Sequence, residues 1–191
     1  IGIMGLAIFS ETHLALQGVM MQMFNHGINI IGLWIVVELI ERQFGTRKLS
    51  ELGGIAAKAP TLSILLVVMA LANISLPLTN AFVGEFMMFS GIFGSAMTKY
   101  NILFTVLALV SIILAAVYTL TMIQKVFFGV ANERTANAKD IHFNEKLALG
   151  ILVVLVFAFG IYPQPLLNIT DGYTEAIITK STKLLSQSLN K

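Results

Sequence analysis

The sequence contains no cysteine, a single tryptophan, four prolines and only 12% charged residues. Without thiols it can make no disulfide or thiolate zinc site, and it brings no ligand of its own to an iron–sulfur cluster or a thiolate-bound haem. Any redox chemistry connected with it is therefore expected in other chains. Soluble domains carry about a quarter charged residues, so this composition excludes an ordinary soluble enzyme. What stands in place of charge is apolar: 57% of the 191 residues are hydrophobic and the mean hydropathy is +0.85. A net charge of +2, spread over several loops, gives no face for nucleic acid. There is no phosphate loop, dinucleotide fingerprint, zincin motif or nucleophile elbow. The first residue is Ile1 and no basic n-region follows it, so the expectation is a start inside a longer protein rather than a signal peptide.

The apolar runs predict an all-α, polytopic transmembrane bundle of about four and a half spans, one of them broken. Residues 1–9 are apolar but reach only about 14 Å as helix, half of a bilayer core of about 30 Å. The run from Leu14 to about Ile40 is long enough to cross and stops at Glu41-Arg42. From Pro60 to about Ser95 the stretch would make a straight helix about 54 Å long, too long for one plain crossing. Pro77 and the polar residues Asn73, Ser75, Thr79 and Asn80 mark an interruption, because proline removes one backbone bond and short polar side chains satisfy freed carbonyls. The alternative, two complete spans, would leave residues 61–75 below the minimum length of about 17 residues. Further spans are expected over about 102–128 and 146–161, ending at Tyr162-Pro163-Gln164-Pro165. The bundle is thus expected over residues 1–162. The tail, 163–191, repeats Leu166, Ile169, Tyr173, Ile177 and Leu184 at near-helical spacing, which fits either an amphipathic interfacial helix or a frayed end.

Charge gives orientation. With one broken span, loops 42–58 and 129–145 share a side, and beside the spans there lie Arg42, Arg47, Lys48, Lys58, Lys125, Arg134, Lys139 and Lys146. The other side has Lys99 and the tail lysines Lys180, Lys183 and Lys191. The positive-inside rule then places both basic loops in the cytoplasm and the C-terminus outside.

Glu85 is the residue that fits worst with a plain bundle. It lies deep in an apolar run, where a carboxylate costs roughly 2.5–3.5 kcal/mol on insertion scales and usually lines an ion path or pairs inside a bundle. On the first long span Gln22, Asn25, His26 and Asn29 fall at i, i+3, i+4 and i+7 and share one face. Histidine titrates nearest neutral pH, so His26 and Glu85 are the candidate proton-relay pair. Gln22, Asn25, Asn29, Asn73, Ser75, Thr79 and Asn80 are expected either to line the path or to fasten helices by interhelical hydrogen bonds. Tyr118 and Lys125 share a face with Ser111 and are candidates for an aqueous entry, although Lys125 lies close enough to a helix end to snorkel. Glu38, Glu41 and Arg42 read as an interfacial charge cluster, and His13 and His142 as solvated. The methionines are packing residues, and neither a metal nor a catalytic residue is expected in this chain.

Met21-Gln-Met-Phe-Asn-His-Gly27, Leu76-Pro-Leu-Thr-Asn-Ala-Phe-Val-Gly-Glu-Phe-Met-Met88, Phe127-Phe-Gly129 and Gly160-Ile-Tyr-Pro-Gln-Pro-Leu166 together resemble the antiporter-like chain M subunits of proton-pumping NADH:quinone oxidoreductase, respiratory complex I. The Phe-Val-Gly-Glu-Phe segment is the most specific, because related antiporter-like chains tend to carry lysine at the position of Glu85. The resemblance implies a fold of fourteen transmembrane helices with two inverted repeats, each containing a broken helix, of which this chain would hold most of the end of the second repeat. It also implies that His26 and Glu85 belong to a hydrated midplane chain of ionisable groups whose other members lie upstream of Ile1. NADH, FMN, iron–sulfur clusters and quinone would sit in partner subunits, with other antiporter-like and redox subunits and the lipid bilayer as neighbours. The location implied is the inner (plasma) membrane of a bacterium. Thr79-Asn80, where the family often has a glycine-containing turn, and Gln124-Lys125 are departures. The alternatives are a subunit of a multisubunit sodium/proton antiporter and a non-transporting membrane scaffold.

Overall fold

The computed structural model describes residues 1–189, apart from the side chains of residues 184–186, 188 and 189. Lys191 and the side chain of Leu184 therefore lie outside the described residues. Among the described residues seven α-helices follow one another: α1 (Gly2–Phe9), α2 (His13–Phe44), α3 (Pro60–Asn73), α4 (Asn80–Phe93), α5 (Asn101–Val126), α6 (Phe143–Ile161) and α7 (Gln164–Leu189). Among the described residues there is no β-strand. Three helices, α2, α5 and α6, are long and apolar enough to cross a membrane, while α3 and α4 are short apolar pieces.

The register of these two pieces along α2 decides whether they make one crossing or two. Met69 packs on Gly32, Asn29 bonds the Ala72 carbonyl, Asn25 bonds the Asn80 carbonyl, Gln22 covers Gly84, Gly18 meets Met87 and Met88, and Ala15 meets Gly91. As the α2 number falls from 32 to 15, the partner number rises from 69 to 91 without turning back. Helices α3 and α4 are thus one antiparallel crossing interrupted at residues 74–79. With the half-span α1, this is the predicted bundle of four and a half spans.

The boundaries differ from the sequence reading in ways that local chemistry explains. Helix α2 runs past Glu41 to Phe44, because Arg42 pairs with Glu38 one turn earlier at 2.8 Å and Gly45 supplies the left-handed cap, with φ 67°. Helix α6 begins at Phe143 rather than near 146, since the Glu145 carboxylate accepts a 2.7 Å bond from the His142 backbone N–H. His142 is thus a helix cap. In the tail, residues 164–189 form α7.

At one end of the bundle the two basic loops interlock. The Ala56 N–H donates to the Phe127 carbonyl at 2.9 Å, the Thr135 hydroxyl to that of Gly53 at 2.6 Å, and the Gln43 amide to that of Lys139 at 2.8 Å. Asp140 caps α3, accepting from the N–H groups of Thr61 and Leu62 at 3.2 and 3.1 Å. Beneath the loops lies the largest apolar cluster, built from Val36, Leu39, Ile40, Leu62, Leu66, Val126, Phe127 and Leu149 among others. At the opposite end α7 crosses the start of α2. His13 is exposed, as expected, and also approaches Asp171 at 3.3 Å and the buried Thr174 at 3.1 Å.

Candidate functional site: a polar cavity beside the helix break

The break is held open from two sides. Inside it the backbone bends through Ser75 and Leu78, whose φ angles are 60° and 75°, a region that side-chain-bearing residues avoid and that must be held by surrounding structure. The Leu76 N–H reaches back to the Leu71 carbonyl at 3.1 Å, and the Thr79 hydroxyl donates to the Leu76 carbonyl at 2.6 Å. From α2, the Asn29 amide donates to the Ala72 carbonyl at 3.2 Å and the Asn25 amide to the Asn80 carbonyl at 2.8 Å. Asn80 returns a longer bond, 3.5 Å, to the Asn25 carbonyl, and its Oδ1 accepts from the Ala81 N–H at 2.9 Å. From α6, Gly160 lies against the break so closely that a Cβ there would collide with the Leu78 carbonyl oxygen. These contacts satisfy backbone groups that a bilayer would leave bare.

Next to the break lies a cavity of about 630 Å³ bordered by α1, α2, α4, α5 and the end of α3. Glu85, His26, Gln22 and Asn29 line it, and Asn73, Ser111 and Tyr118 add polar groups at its edges. The rest of the lining is apolar, from Ile1 to Leu6 on α1 and Phe104 to Ala115 on α5. Glu85 and His26 are each only partly buried, so both side chains have open space before them. Ser75, behind Glu85, approaches its carboxylate, but the hydroxyl makes no hydrogen bond. Three carboxamide oxygens on α2, those of Gln22, Asn25 and Asn29, are also buried without a partner.

The structure thus divides the residues singled out from the sequence. Glu85, His26, Gln22, Asn29, Asn73 and Tyr118 meet in one cavity. Asn25, Ser75, Thr79 and Asn80 are buried in or against the break and do not border it. Lys125 sits in the last turn of α5, exposed and apart from the cavity. Sequence reasoning missed Gly160, which has no polar signal of its own; only its place before Tyr162-Pro163 hinted at a role. It also missed Asp140, hidden in a loop of mixed charge.

Comparison with known proteins follows the same lines. Residues 1–114 match the family described as NADH:quinone oxidoreductase/Mrp antiporter, transmembrane. The chain is 31% identical over 180 residues to the NADH-quinone oxidoreductase subunit M of Rickettsia bellii, covering 94% of this chain and 35% of that protein. It is 34% identical over 169 residues to the subunit of the same name from Escherichia coli, with 87% and 32% covered. With the F(420)H(2) dehydrogenase subunit M of Methanosarcina mazei it shares 32% over 166 residues, 87% of this chain and 32% of that one. Among solved structures, a chain of respiratory complex I from Thermus thermophilus with bound NADH superposes with a TM-score of 0.82 at 26% identity, over 93% of this chain and 36% of that one. The chain spans about a third of the length of these relatives. With the broken crossing, the length of the match and the agreement of fold together, the chain belongs to the NADH:quinone oxidoreductase/Mrp antiporter transmembrane family.

Proposed function

We propose that the chain is the C-terminal part of a proton-translocating membrane subunit of NADH:quinone oxidoreductase, in which Glu85 and His26 relay protons through the cavity beside the helix break. The observation that carries this reading is that a carboxylate and an imidazole, on two helices and far apart in sequence, line one partly open cavity of an otherwise apolar bundle. Neither group is cheap to hold at this depth, and a pair aimed at shared space exchanges protons through bridging water. Gln22, Asn29 and Asn73 border the same space and supply hydrogen-bonding groups to that water.

The chain has no cysteine, so thiolate ligation of clusters falls to partner chains, along with the binding of NADH, FMN and quinone. The relative in Methanosarcina mazei is named for a different electron donor, which fits a membrane part that serves whatever redox module is attached. The partners are other antiporter-like and redox subunits of the complex and the lipid of a bacterial inner membrane. A sodium/proton antiporter subunit is the second reading, favoured by the antiporter half of the family description. The interlocked basic loops are placed in the cytoplasm and α7 on the outer face, where Ile169, Tyr173 and Ile177 are exposed and suit a helix lying along the bilayer surface. Residues 1–162 then act as the transmembrane bundle and 163–191 as its interfacial tail.

The test is Glu85→Gln in the assembled complex. Glutamine keeps size and hydrogen bonding but does not exchange a proton at physiological pH, so proton pumping per electron should fall while assembly is kept. Glu85→Asp should retain more activity than Gln. Normal pumping in an assembled Gln variant overturns the relay. Orientation is checked in this cysteine-free chain by Ser50→Cys and Lys99→Cys in intact cells: a membrane-impermeant thiol reagent should label the second and spare the first.

A further inference from the structure

The cavity that holds Glu85 has a neighbour. A second cavity, of about 250 Å³, lies toward the end of the bundle opposite the basic loops, where α1 stops, α4 stops and α5 starts. Its polar lining comes from Ser10, Ser95, Thr98 and Asn101. Among the described residues, Leu6 of α1 and Phe104 of α5 are the two that line both spaces. A cavity with an ionisable group and a mainly apolar vestibule that carries four polar residues, near the end of the bundle, thus share two apolar side chains in their walls.

Hydrogen bonds brace the backbone around these two side chains. The Ser95 hydroxyl donates to the Ser10 carbonyl at 2.6 Å, the Ser10 hydroxyl to the Ala7 carbonyl at 2.7 Å, and the Met97 N–H to the Ser95 hydroxyl at 3.2 Å. These bonds tie the end of α1 to the α4–α5 turn and hold the vestibule in shape. Leu6 is only partly buried and Phe104 is 37% exposed, so each has room to change rotamer. Proton movement needs an unbroken chain of hydrogen bonds, and an apolar constriction interrupts such a chain by expelling water.

We propose that Leu6 and Phe104 form a hydrophobic gate between the Glu85 cavity and the vestibule at Ser10, Ser95, Thr98 and Asn101. The proposal rests on the relay reading of Glu85. With the two side chains together the neck is dry and Glu85 is cut off from the vestibule. With them apart, water joins the two spaces and a proton leaving Glu85 has hydroxyl and amide groups ahead of it.

The test uses the intact complex in sealed membrane vesicles, with Phe104→Ala and Phe104→Trp read for passive proton leak and for protons pumped per electron. Alanine should open the neck, giving a several-fold faster collapse of an imposed pH gradient and a lower pumping ratio. Tryptophan should tighten it, giving a lower pumping ratio with no added leak. A residue that merely packs would not separate leak from pumping in this way. In the double variant Phe104→Ala with Glu85→Gln, the leak should return to the wild-type level, because the path it uses is broken at the carboxylate. A leak that persists in the double variant overturns the gate, as does an unchanged leak and ratio in both single variants. In either case Glu85→Gln alone still reports on the relay, so the two readings fail separately. If Phe104→Ala does not assemble, Leu6→Ala and Leu6→Phe provide the same opposed pair of readouts.

Discussion

Helix α2 meets the two halves of the broken crossing with different chemistry. Against α3 and the loops it presents Val36, Leu39, Ile40 and Phe44, which join Leu62, Leu66 and Phe127 in a continuous apolar cluster. Against α4 it presents Gly18, Gln22 and Asn25, and beside this seam lies the cavity with Glu85 and His26. The first half is closed further by loops bonded to each other, whereas the second keeps buried carboxamide oxygens without partners. Side-chain packing in the first half follows size and fit. In the second half, close approach of backbones and interhelical hydrogen bonds replace it, as membrane helices require where lipid is as apolar as leucine. The first, dry half therefore anchors the second, polar half, and substitutions in the two should read out differently.

The largest effect on stability is expected in the dry half. Phe127 is 1% exposed and terminates α5 among the interlocked loops. Phe127→Ala should cost about 3–5 kcal/mol through lost contacts and a cavity. The measurement is the yield of assembled subunit and its thermal midpoint, and the surviving complexes should pump at the normal ratio. A normal yield with a reduced ratio would mean that the dry half is no mere anchor.

Gly18→Leu probes the seam of the polar half. A Cβ at Gly18 would sit 2.8 Å from the Gly84 carbonyl oxygen and 2.9 Å from the Met88 nitrogen, so it meets backbone rather than a flexible side chain. Overpacking of this kind costs typically about 1–3 kcal/mol. Because α4 carries Glu85, separation of α2 and α4 should lower both assembly and the pumping ratio. Both are measured in the same vesicles, and an unchanged ratio in assembled material would show that the seam tolerates separation.

Asn29→Leu is smaller and more selective. It leaves the Ala72 carbonyl without its 3.2 Å partner, a loss of about 1–2 kcal/mol on the scale of interhelical hydrogen bonds. Asn29→Gln, which keeps an amide, should recover part of this. Thermal midpoints of the two variants compare them directly, and equal midpoints would remove the bond to Ala72 as a brace of the break.

The comparison also explains what could be read from the sequence. Span lengths and the run Asn73 to Asn80 located the break, because a membrane of fixed thickness turns length into topology. Helical spacing put Gln22, Asn25, His26 and Asn29 on one face, but spacing alone did not divide them. Asn25 meets the Asn80 carbonyl at the break, whereas His26 looks into the cavity. That division depends on where the released carbonyls of residues 72 and 80 lie, which is a property of the partner backbone and not of α2. Gly160 and the pair Leu6 and Phe104 carried no polar signal for the same reason: an apolar residue reveals a close approach or a shared cavity wall only once its neighbours are in place. The tail offered two readings because residues 164–189 mix Thr, Ser and Lys with apolar positions, and contacts such as those of Asp171 and Thr174 with Gln17 and His13 have no signal in the sequence.

The smallest expected effect lies at Asp140, outside the spanning helices, and it depends on pH. Burial works against ionisation of this carboxylate, but hydrogen bonds from the Thr61 side chain and the N–H groups of Ile141, Leu62 and Thr61 outweigh it and hold its pKa below the usual value. A carboxylate with a lowered pKa in the folded state adds stability above its unfolded pKa, about 3.9 for Asp, and that contribution is lost as pH falls through the lower folded value. The cap on α3 should therefore be intact at neutral pH and fade only below about pH 4. Hydrogen exchange at the first turn of α3 measures it, since the Thr61 and Leu62 amides donate to this carboxylate. Asp140→Asn keeps one acceptor oxygen and no charge, so these amides should exchange faster at neutral pH, by an amount corresponding to about 1 kcal/mol of capping. In that variant the extra loss of protection on acidification should vanish. If wild type and variant respond to acid alike, the carboxylate is not what holds the start of α3, and the interlocked loops must do so through their backbone bonds.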